Sequence, residues 1–396
     1  MNLPNRLRSQ AARLALAAAL LLTACGGSGD RLSALEQHIY LEPAVVATTL
    51  AFDRVAIGFA ASCMLTTSGE AWCWGNNSDG LLGAGSTRFC AGGLVPCSFE
   101  PLRAEAPRTF TALSVAQLHA CGLDAAGLAW CWGFGFGGQL GDGGTANSAA
   151  AVAVAGGRSY VQIDAGRASR LSCALDAAGT AWCWGPAGGG ALGNGTTDLS
   201  LVPVPVTAAA QPFVSVGAGD EHACALDSAG EAWCWGRNGY GKLGRGVSGA
   251  VLVPSAVAGA HRFASLAVGG VFNCALDTAG AAWCWGFGPA LGDGAGQHRD
   301  VPTAVSGGHV FVSLSAGYQH ACGLKTDGAA WCWGPATLVG GGDEVERTVP
   351  VAVAGGHRFG VLQAGGVATC GITLAGTPMC WGFNAQGSVG QANVAP

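Results

Sequence analysis

The feature that most constrains this chain is a motif with two cysteines and two tryptophans that recurs along its length. One copy reads CALDSAGEAWCWG and spans residues 224–236. The ending WCWG begins at residues 72, 130, 182, 233, 283 and 331, and a weaker ending, MCWG, begins at residue 379. Self-similarity at a period of about 50 residues indicates a repeat protein rather than two or three unrelated domains.

The two cysteines of each copy are predicted to form a cross-strand disulfide. If residues 228–230 make a three-residue loop with Gly230 in the left-handed region, Cys224 lies directly opposite Cys234. Opposed residues on antiparallel strands are close enough for a disulfide. The predicted pairs are Cys63 with Cys73, Cys121 with Cys131, Cys173 with Cys183, Cys224 with Cys234, Cys274 with Cys284, Cys322 with Cys332 and Cys370 with Cys380, and an eighth candidate pair is Cys90 with Cys97.

Metal ligation is the alternative use of these cysteines. A histidine precedes the first cysteine of a pair at His119, His222 and His320, but the other four copies lack it. The close cysteine spacing of zinc modules is also absent from the sequence. The pattern favours disulfides, and neither a metal site nor a cofactor is predicted. The stretch GFGFGG (133–138) matches a dinucleotide fingerprint, but no helix is expected after it.

The repeats predict an all-β chain folded as a seven-bladed β-propeller over residues 41–396. Half of the residues are hydrophobic and only 11% are charged, so both faces of each small sheet are expected to be buried. Radial packing of such sheets makes a propeller, and an extended solenoid is the rival arrangement. The strand-like segment LEPAVV (41–46) precedes the first repeat, whereas the last repeat ends with little room for a fourth strand. We therefore expect an N-terminal strand to close the ring.

The first 40 residues are predicted to be an export and anchoring segment. A basic region with Arg6, Arg8 and Arg13 precedes the apolar run LALAAALLL, as in a signal peptide covering residues 1–24. LTAC (22–25) resembles a bacterial lipobox, which implies that Cys25 is lipidated and that residues 25–40 form a flexible tether. A plain signal peptide is the alternative. The glycine after Cys25 resembles outer-membrane sorting signals of Gram-negative lipoproteins.

The charge balance argues against nucleic-acid binding. Removing residues 1–24 takes away three arginines and no acid, which changes the formal net charge from −5 to −8. No basic stripe remains to neutralise phosphates. We expect a monomeric propeller whose membrane contact is made through the lipid alone.

Blade four (213–246) resembles the repeat of the regulator of chromosome condensation family. Its marks are A-G-x-x-H before a strand, a small-residue turn, the W-G and the loop GKLGRG, which recurs as GLLGAG, GQLGDG, GALGNG and PALGDG. The resemblance covers roughly residues 48–391 and implies a seven-bladed propeller. The founder's nucleotide-exchange activity is not carried over, since its functional residues have no match here. The paired cysteines also depart from the founder.

Function is expected where the repeats differ from one another. Asp124, Asp176, Asp227 and Asp277 start near-identical hairpin turns and are predicted to cap them, and the recurring histidines are predicted to hydrogen-bond within their blades. The opposite ends of the hairpins vary in chemistry. The residues predicted there to bind a partner are Phe134, Arg167, Arg170, Asp220, Glu221, Arg237, Tyr240, Lys242, Phe287, Tyr318 and Gln319.

The insertion after the first repeat, residues 86–110, is a second candidate. Phe89 and Phe99 are expected either to contact a partner or to pack locally. The residues predict a non-catalytic, lipid-anchored protein-binding scaffold of the cell envelope. A carbohydrate-binding protein or an enzyme with a site on the variable face or in the central channel is the alternative, and a structural surface-layer role is a third.

Overall fold

A computed structural model describes residues 39–85, 89–90, 95–105, 108–167, 169–207, 212–384 and 386–390. Cys25 and the predicted signal peptide lie outside these residues, as does most of the tether. The contacts of residues 40–396 form one compact unit. No helix among the described residues is long and apolar enough to cross a membrane.

Seven antiparallel sheets form the seven blades of the propeller. In each blade we number four strands, from the innermost to the outermost. Blade 1 has strands Phe52–Ile57, Ala61–Thr66, Ala71–Asn76 and Val95–Arg103, with a short fifth strand Phe89–Cys90. Blade 2 has Ala112–Val115, His119–Leu123, Ala129–Gly133 and Ser148–Ala153. Blade 3 has Gln162–Ala165, Ser172–Leu175, Ala181–Gly185 and Ser200–Pro205. Blade 4 has Phe213–Ala218, His222–Asp227, Ala232–Gly236 and Val251–Ala256.

The remaining three blades repeat the same order. Blade 5 has Phe263–Val268, Phe272–Asp277, Ala282–Gly286 and Arg299–Ala304. Blade 6 has Ser313–Ala316, Ala321–Leu324, Ala330–Gly334 and Arg347–Ala352. Blade 7 has Phe359–Ala364, Ala368–Thr373, Pro378–Phe383 and, outermost, Ile39–Val45. Short 3₁₀ turns cover Ser78–Gly80, Gly188–Gly190, Gly239–Gly241, Gly288–Ala290 and Ala354–Gly356, and one α-helical turn covers Ala336–Val339.

The strand Ile39–Val45 joins the ends of the chain, as predicted from the sequence. It lies beside the third strand of blade 7, and the Val46 amide donates to the Pro378 carbonyl at 3.0 Å. Val46 and Tyr40 also pack in apolar clusters with blade 7 residues. The ring is therefore closed by pairing the first strand of the chain with the last blade.

All eight predicted disulfides are present. The Cα–Cα distance is 4.1 Å in each of the seven bridges within a hairpin and 5.8 Å between Cys90 and Cys97. The hairpin bridges join Cys63 to Cys73, Cys121 to Cys131, Cys173 to Cys183, Cys224 to Cys234, Cys274 to Cys284, Cys322 to Cys332 and Cys370 to Cys380.

The strand register explains why every hairpin bridge has the same geometry. Cys224 lies directly opposite Cys234, as the three-residue loop requires, and the other six pairs are opposed in the same way. Each bridge closes a short loop, for which about 3 kcal/mol of stabilisation is a reasonable upper value.

The second tryptophan of each motif joins its blade to the preceding one. Its indole is at most 1% exposed, and its Nε1 donates to a backbone carbonyl in the preceding blade at 2.9–3.1 Å. The seven donor–acceptor pairs are Trp74–Ser388, Trp132–Leu81, Trp184–Gln139, Trp235–Ala191, Trp285–Lys242, Trp333–Ala290 and Trp381–Leu338. The same bond thus recurs at every junction, including the junction of blade 7 with blade 1.

The recurring histidines correct one sequence prediction, because their partners lie in the next blade and not in their own. His119 Nε2 contacts Ser172 Oγ at 2.7 Å, and Ser172 in turn donates to the Gln139 carbonyl. The equivalent pairs are His222–Asn273 and His320–Thr369. Since each partner uses its own hydrogen toward a carbonyl, the histidine must donate through Nε2–H. These histidines are structural, as predicted, but they join blades.

Candidate binding face

The loops of the propeller lie on two opposite faces. In blade 4, the turn 228–230 and the connection 257–262 lie on one face, which we call the tip face. The loops 219–221 and 237–250 lie on the other, which we call the variable face. Equivalent loops of every blade follow this arrangement, since the strands alternate in direction.

On the tip face, the hairpin turns of four blades are capped by an aspartate in the same way. Asp227 Oδ1 accepts the amides of Ala229 and Glu231 at 2.9 Å, and its Oδ2 accepts the Trp233 indole N–H at 3.0 Å. Asp124, Asp176 and Asp277 make the same bonds in their blades. Although partial burial raises the pKa of Asp124, these bonds together with Arg108 lower it overall. The predicted turn-capping role is confirmed.

The variable face of blade 4 carries a compact group of charged side chains. Arg237 Nη1 lies 2.5 Å from Glu221 Oε2, and the strand register brings the two residues together, as predicted. Lys242 is only 4% exposed, so it lies beneath this surface, and its ammonium donates to the Asp220 carbonyl. Burial lowers the pKa of Lys242 to about 8, against the opposing effect of Asp220. Burial likewise raises the pKa of Asp220, which Lys242 opposes.

Three rings form an aromatic group beside these charges, across blades 4 and 5. The Tyr240 ring lies 5.3 Å from Phe287 in an edge-to-face arrangement and 4.8 Å from His298, and Phe287 lies 5.4 Å from His298. Tyr240 remains 50% exposed. The variable face here presents an aromatic surface next to an ion pair.

Two residues of this surface, Tyr240 and Glu221, have strained backbone conformations. Tyr240 has φ of 62° and Glu221 has φ of 55°, both in the left-handed region that disfavours non-glycine residues. Gly189 occupies the position of Tyr240 in blade 3 with φ of 65°, which shows the glycine-like geometry of this loop. A tyrosine at such a position costs roughly 1 kcal/mol relative to glycine, and in return it places a large ring on the surface.

Aromatic side chains continue around the mouth of the channel. Tyr318 of blade 6 and Phe59 of blade 1 pack edge to face at 5.9 Å, over the intervening blade 7. A Cβ at Gly270 would lie 2.1 Å from Tyr318, and one at Gly366 would lie 2.5 Å from Phe59. Glycine is needed at both positions so that the rings can lie across the neighbouring loops. Gln319 is half-buried beside Tyr318.

The predicted residues of blades 2 and 3 divide between the surface and the channel. The Arg170 guanidinium lies 5.0 Å from the Phe134 ring centroid, and the Phe134 ring lies 6.3 Å from the 72% exposed Phe136. Arg167, by contrast, points into the central channel and donates from Nη1 to the Ala316 carbonyl of blade 6. The structure therefore places Arg167 apart from the other candidates.

Residues missed by the sequence analysis are Phe59, Phe136 and His298. Phe59 occupies the repeat position of Asp220 and Tyr318, four residues before the first cysteine of the hairpin, so an alignment of the repeats on that cysteine would have found it. Phe136 follows Phe134 by two residues in the same loop. His298 had no such signal, because it comes from a loop of irregular length and meets Tyr240 only across a blade junction.

The insertion after blade 1 is described in part. Phe89 pairs with Pro96 in a short antiparallel ladder beside the Cys90–Cys97 bridge. The Phe89 side chain is 61% exposed, whereas Phe99 is half-buried near Gly387 of blade 7. Thus Phe99 packs locally and Phe89 faces solvent.

No group of three or more His, Cys, Asp or Glu side chains that could hold a metal ion occurs among the residues that the structure describes. Burial lowers the pKa of the three junction histidines to about 3 and that of Lys242 to about 8, and it raises the pKa of Tyr160 to about 12. Burial also raises the pKa of Asp164 and lowers that of Arg167.

Comparison with known proteins identifies the repeats. Models of the regulator of chromosome condensation (RCC1) repeat match residues 52–81, 178–226, 213–242, 229–276 and 311–334. The chain contains RCC1 repeats. The matched segments fall in blades 1, 3, 4, 5 and 6, and in blades 1, 4 and 6 they include both cysteines of the hairpin disulfide.

Curated relatives match about half of the chain. It is 31% identical to the human E3 ubiquitin-protein ligase HERC2 over 198 residues, which cover 49% of this chain and 4% of HERC2. It is 28% identical to the ultraviolet-B receptor UVR8 of Arabidopsis thaliana over 199 residues, covering 49% of this chain and 43% of UVR8. The chain therefore spans less than half the length of these relatives.

Solved structures show the same fold. Human WBSCR16 superposes with a TM-score of 0.73 at 19% identity, covering 86% of this chain and 89% of that one. Yeast RCC1 (Prp20), solved bound to Kap60, superposes with a TM-score of 0.68 at 21% identity, covering 84% and 80%. The all-β, seven-bladed propeller expected from the sequence is confirmed.

Proposed function

We propose that this RCC1-repeat protein is a lipid-anchored scaffold of the cell envelope that binds a protein partner through the variable face of blades 4 to 6. The observation that carries the proposal is the exposed, strained Tyr240 packed on Phe287 and His298 beside the Glu221–Arg237 ion pair. Aromatic rings and arginine are the side chains that contribute most to protein interfaces.

Relatives of the same fold support a protein partner. Yeast RCC1 has been solved bound to Kap60, and a structure of Prp20p from Saccharomyces cerevisiae describes its binding properties to Gsp1p and histones. These partners are not transferred to this chain. What the likeness contributes is that proteins with this fold bind other proteins.

The anchor rests on the sequence of residues 1–25, which resembles a lipoprotein signal with Cys25 as the lipidated residue. Replacing Cys25 by Ser should release the protein from the membrane fraction of a Gram-negative host, and mass spectrometry of the wild-type N-terminus should show an acylated cysteine. Recovery of both forms in the membrane fraction would contradict a lipid anchor. Outer-membrane sorting is tested by separating the two membranes in the same experiment.

The binding face is tested by co-purification from native envelope extracts. The bait is residues 31–396 with disulfides formed, and the test variant carries Arg237→Ala, Tyr240→Ala and Phe287→Ala. A matched control carries Arg262→Ala, Val310→Ala and Arg358→Ala, which change two arginines and one apolar side chain exposed on the tip face. Since Phe287 is partly buried against the apolar cluster of blades 5 and 6, the thermal unfolding of each variant is measured first, and capture is compared between proteins that unfold cooperatively.

A stoichiometric partner retained by the wild type and the control, and lost by the test variant, is the expected result. Equal capture by the test variant would contradict this face as the binding site. Failure of all three proteins to capture a partner would contradict the scaffold. Loss of the partner by both variants would likewise count against this face.

A further inference from the structure

One position of the first strand differs chemically among the seven blades. Each first strand follows or begins with an aromatic residue, and the position compared lies four residues after it. In blade 1 this residue is Ala56, and in blades 2 to 7 it lines the channel and is Ser114, Asp164, Gly217, Ala267, Ser315 and Gln363 in turn. Asp164 is the ionisable member of this set, and the other six are small or neutral. A charge at this position is therefore not needed to build or close the ring.

Blade 3 also supplies a cation to the same space. Its loop between the first and second strands has two residues more than that of blade 4, and it carries Arg167. The Arg167 side chain points into the channel, where Nη1 donates to the Ala316 carbonyl of blade 6. The longer loop and the acidic residue thus occur together in one blade and meet in one cavity.

The cavity has a volume of about 220 Å³ and is lined by the first strands of blades 2 to 7. Gln162, Asp164, Arg167 and Gln363 all retain solvent exposure, so the cavity is open to small molecules. Gln162 is already engaged, because its amide bonds both backbone groups of Val216. This volume is below that of drug-sized pockets and suits a molecule of only several heavy atoms.

The two charged groups are near each other without forming a direct ion pair. Asp164 Oδ1 accepts the Ser114 hydroxyl at 3.0 Å, and Oδ2 accepts the Ala218 amide at 2.8 Å. Burial raises the pKa of Asp164 and lowers that of Arg167. The attraction between the two charges opposes both shifts, so each group lowers the free-energy cost of charging the other. Yet among the described residues they are not within the 4.0 Å of a salt bridge.

Both groups keep unused hydrogen-bonding capacity. A carboxylate has about four acceptor positions, of which Asp164 uses two in these bonds. A guanidinium has five N–H donors, and one of those of Arg167 is bonded to Ala316. A separated cation and anion with free donors and acceptors are complementary to a molecule that carries both charges.

We propose that this channel cavity, which we call the blade 3 channel site, binds a small zwitterion of the size of an α-amino acid. The carboxylate of the bound molecule accepts hydrogen bonds from Arg167, and its ammonium group donates to Asp164. Bound in this way, the molecule completes the ion pair that the two side chains leave open. Charge-assisted bonds at both ends select a zwitterion over a singly charged molecule of similar size.

The test uses the disulfide-bonded propeller and three probes: L-alanine, acetate and methylammonium. Binding is measured by isothermal titration calorimetry or by NMR of the probe at concentrations up to on the order of 10 mM. L-alanine should bind at least about tenfold more tightly than acetate or methylammonium, because only it engages both charges.

Two variants locate the site. Asp164→Ser introduces the residue that blades 2 and 6 already have at this position, and Arg167→Gln keeps a donor for the Ala316 carbonyl. Each variant should weaken L-alanine binding at least about tenfold while its thermal unfolding stays close to that of the wild type. Ser315→Ala is a control in the same channel that removes no charge.

Several outcomes would overturn the proposal. They are the absence of L-alanine binding to the wild type, equal binding of acetate, and unchanged L-alanine binding in both charge variants. If either charge variant fails to unfold cooperatively, Asp164→Asn and Arg167→Met, which also remove the charges, replace them and the same criteria apply. Partner capture through the variable face is expected to be unaffected by the channel variants, so the two proposals can fail separately.

Discussion

Different hydrogen bonds join neighbouring blades at two junctions, that of blades 4 and 5 and that of blades 7 and 1. At the first, the Lys242 carbonyl accepts from both Trp285 and Asn273, and Asn273 also accepts from His222. At the second, the Ser388 carbonyl accepts from Trp74 and Ser62, but Ala368 occupies the histidine position. The tryptophan bond is common to both, and the buried histidine is not.

The difference follows an alternation along the ring. Histidines lie on blades 2, 4 and 6, and their partners Ser172, Asn273 and Thr369 lie on blades 3, 5 and 7. With an odd number of blades the alternation cannot continue through the closure, where Ser62 of blade 1 has no histidine to meet. The junctions that follow blades 1, 3 and 5 also lack this histidine, because Ala61, Leu171 and Phe272 occupy its position. What distinguishes the closing junction is the strand Ile39–Val45, which pairs the first part of the sequence with the last blade.

The largest effect is expected from removing the closing strand. A protein lacking residues 1–47 leaves the outer edge of the third strand of blade 7 without a partner and exposes the apolar cluster around Val46. It should lose more than about 4 kcal/mol of unfolding free energy or fail to fold. Chemical denaturation compares it with a control lacking only residues 1–37. Equal midpoints for the two proteins would show that the ring does not depend on this strand.

Acid should weaken the three junctions that contain a histidine and should not weaken the junction of blades 7 and 1. Burial lowers the pKa of His119, His222 and His320 to about 3, against an unfolded value of about 6.5. A lowered pKa means that the unfolded chain binds the proton first, so stability is full above about pH 6.5 and falls as the pH decreases toward 3. The loss should be about 2 kcal/mol per histidine at pH 5.

Urea unfolding between pH 8 and pH 5 measures this slope. A protein with His119→Gln, His222→Gln and His320→Gln should be less stable at pH 8 and should show a much weaker dependence on pH. If the wild type and the triple variant had the same slope, the histidines would not be the groups responsible.

Replacing a junction tryptophan should cost a similar amount at both junctions. Trp285→Phe and Trp74→Phe each remove a fully buried indole N–H bond and leave unfilled space, which should cost about 2–4 kcal/mol. The control is Trp283→Phe, since the half-buried Trp283 bonds only to Asp277 of its own hairpin. A larger loss in the control than in the junction variants would contradict the role given to the second tryptophan.

The smallest losses of stability are expected from replacing single hydrogen-bonding side chains, and these losses should differ between the two junctions. Asn273→Ala leaves the His222 N–H without its acceptor and should cost about 2 kcal/mol, whereas Ser62→Ala removes one bond and should cost about 1 kcal/mol. Asn273→Thr introduces the partner used by His320 and should recover part of the loss. Equal effects of the two alanine variants would mean that the histidine bond adds nothing to the junction.

The sequence by itself determined what lies within one repeat. The disulfides, the hairpin register and the aspartate turns depend on residues at most ten positions apart, so spacing and turn chemistry were enough to predict them. The closing strand was also predictable, because the spare segment 41–46 matches the missing strand of the last repeat. Repetition supported the disulfide pairing and the hairpin register seven times, and the aspartate turn four times.

Only the tertiary structure decided which residues meet across blades. Asn273 lies 51 positions after His222, and the Tyr240–His298 contact joins loops of two different repeats. Arg167 was predicted on the variable face with Arg170, but two extra residues turn it into the channel toward Ala316. Such contacts depend on how neighbouring sheets are placed by ring closure, which no local spacing encodes.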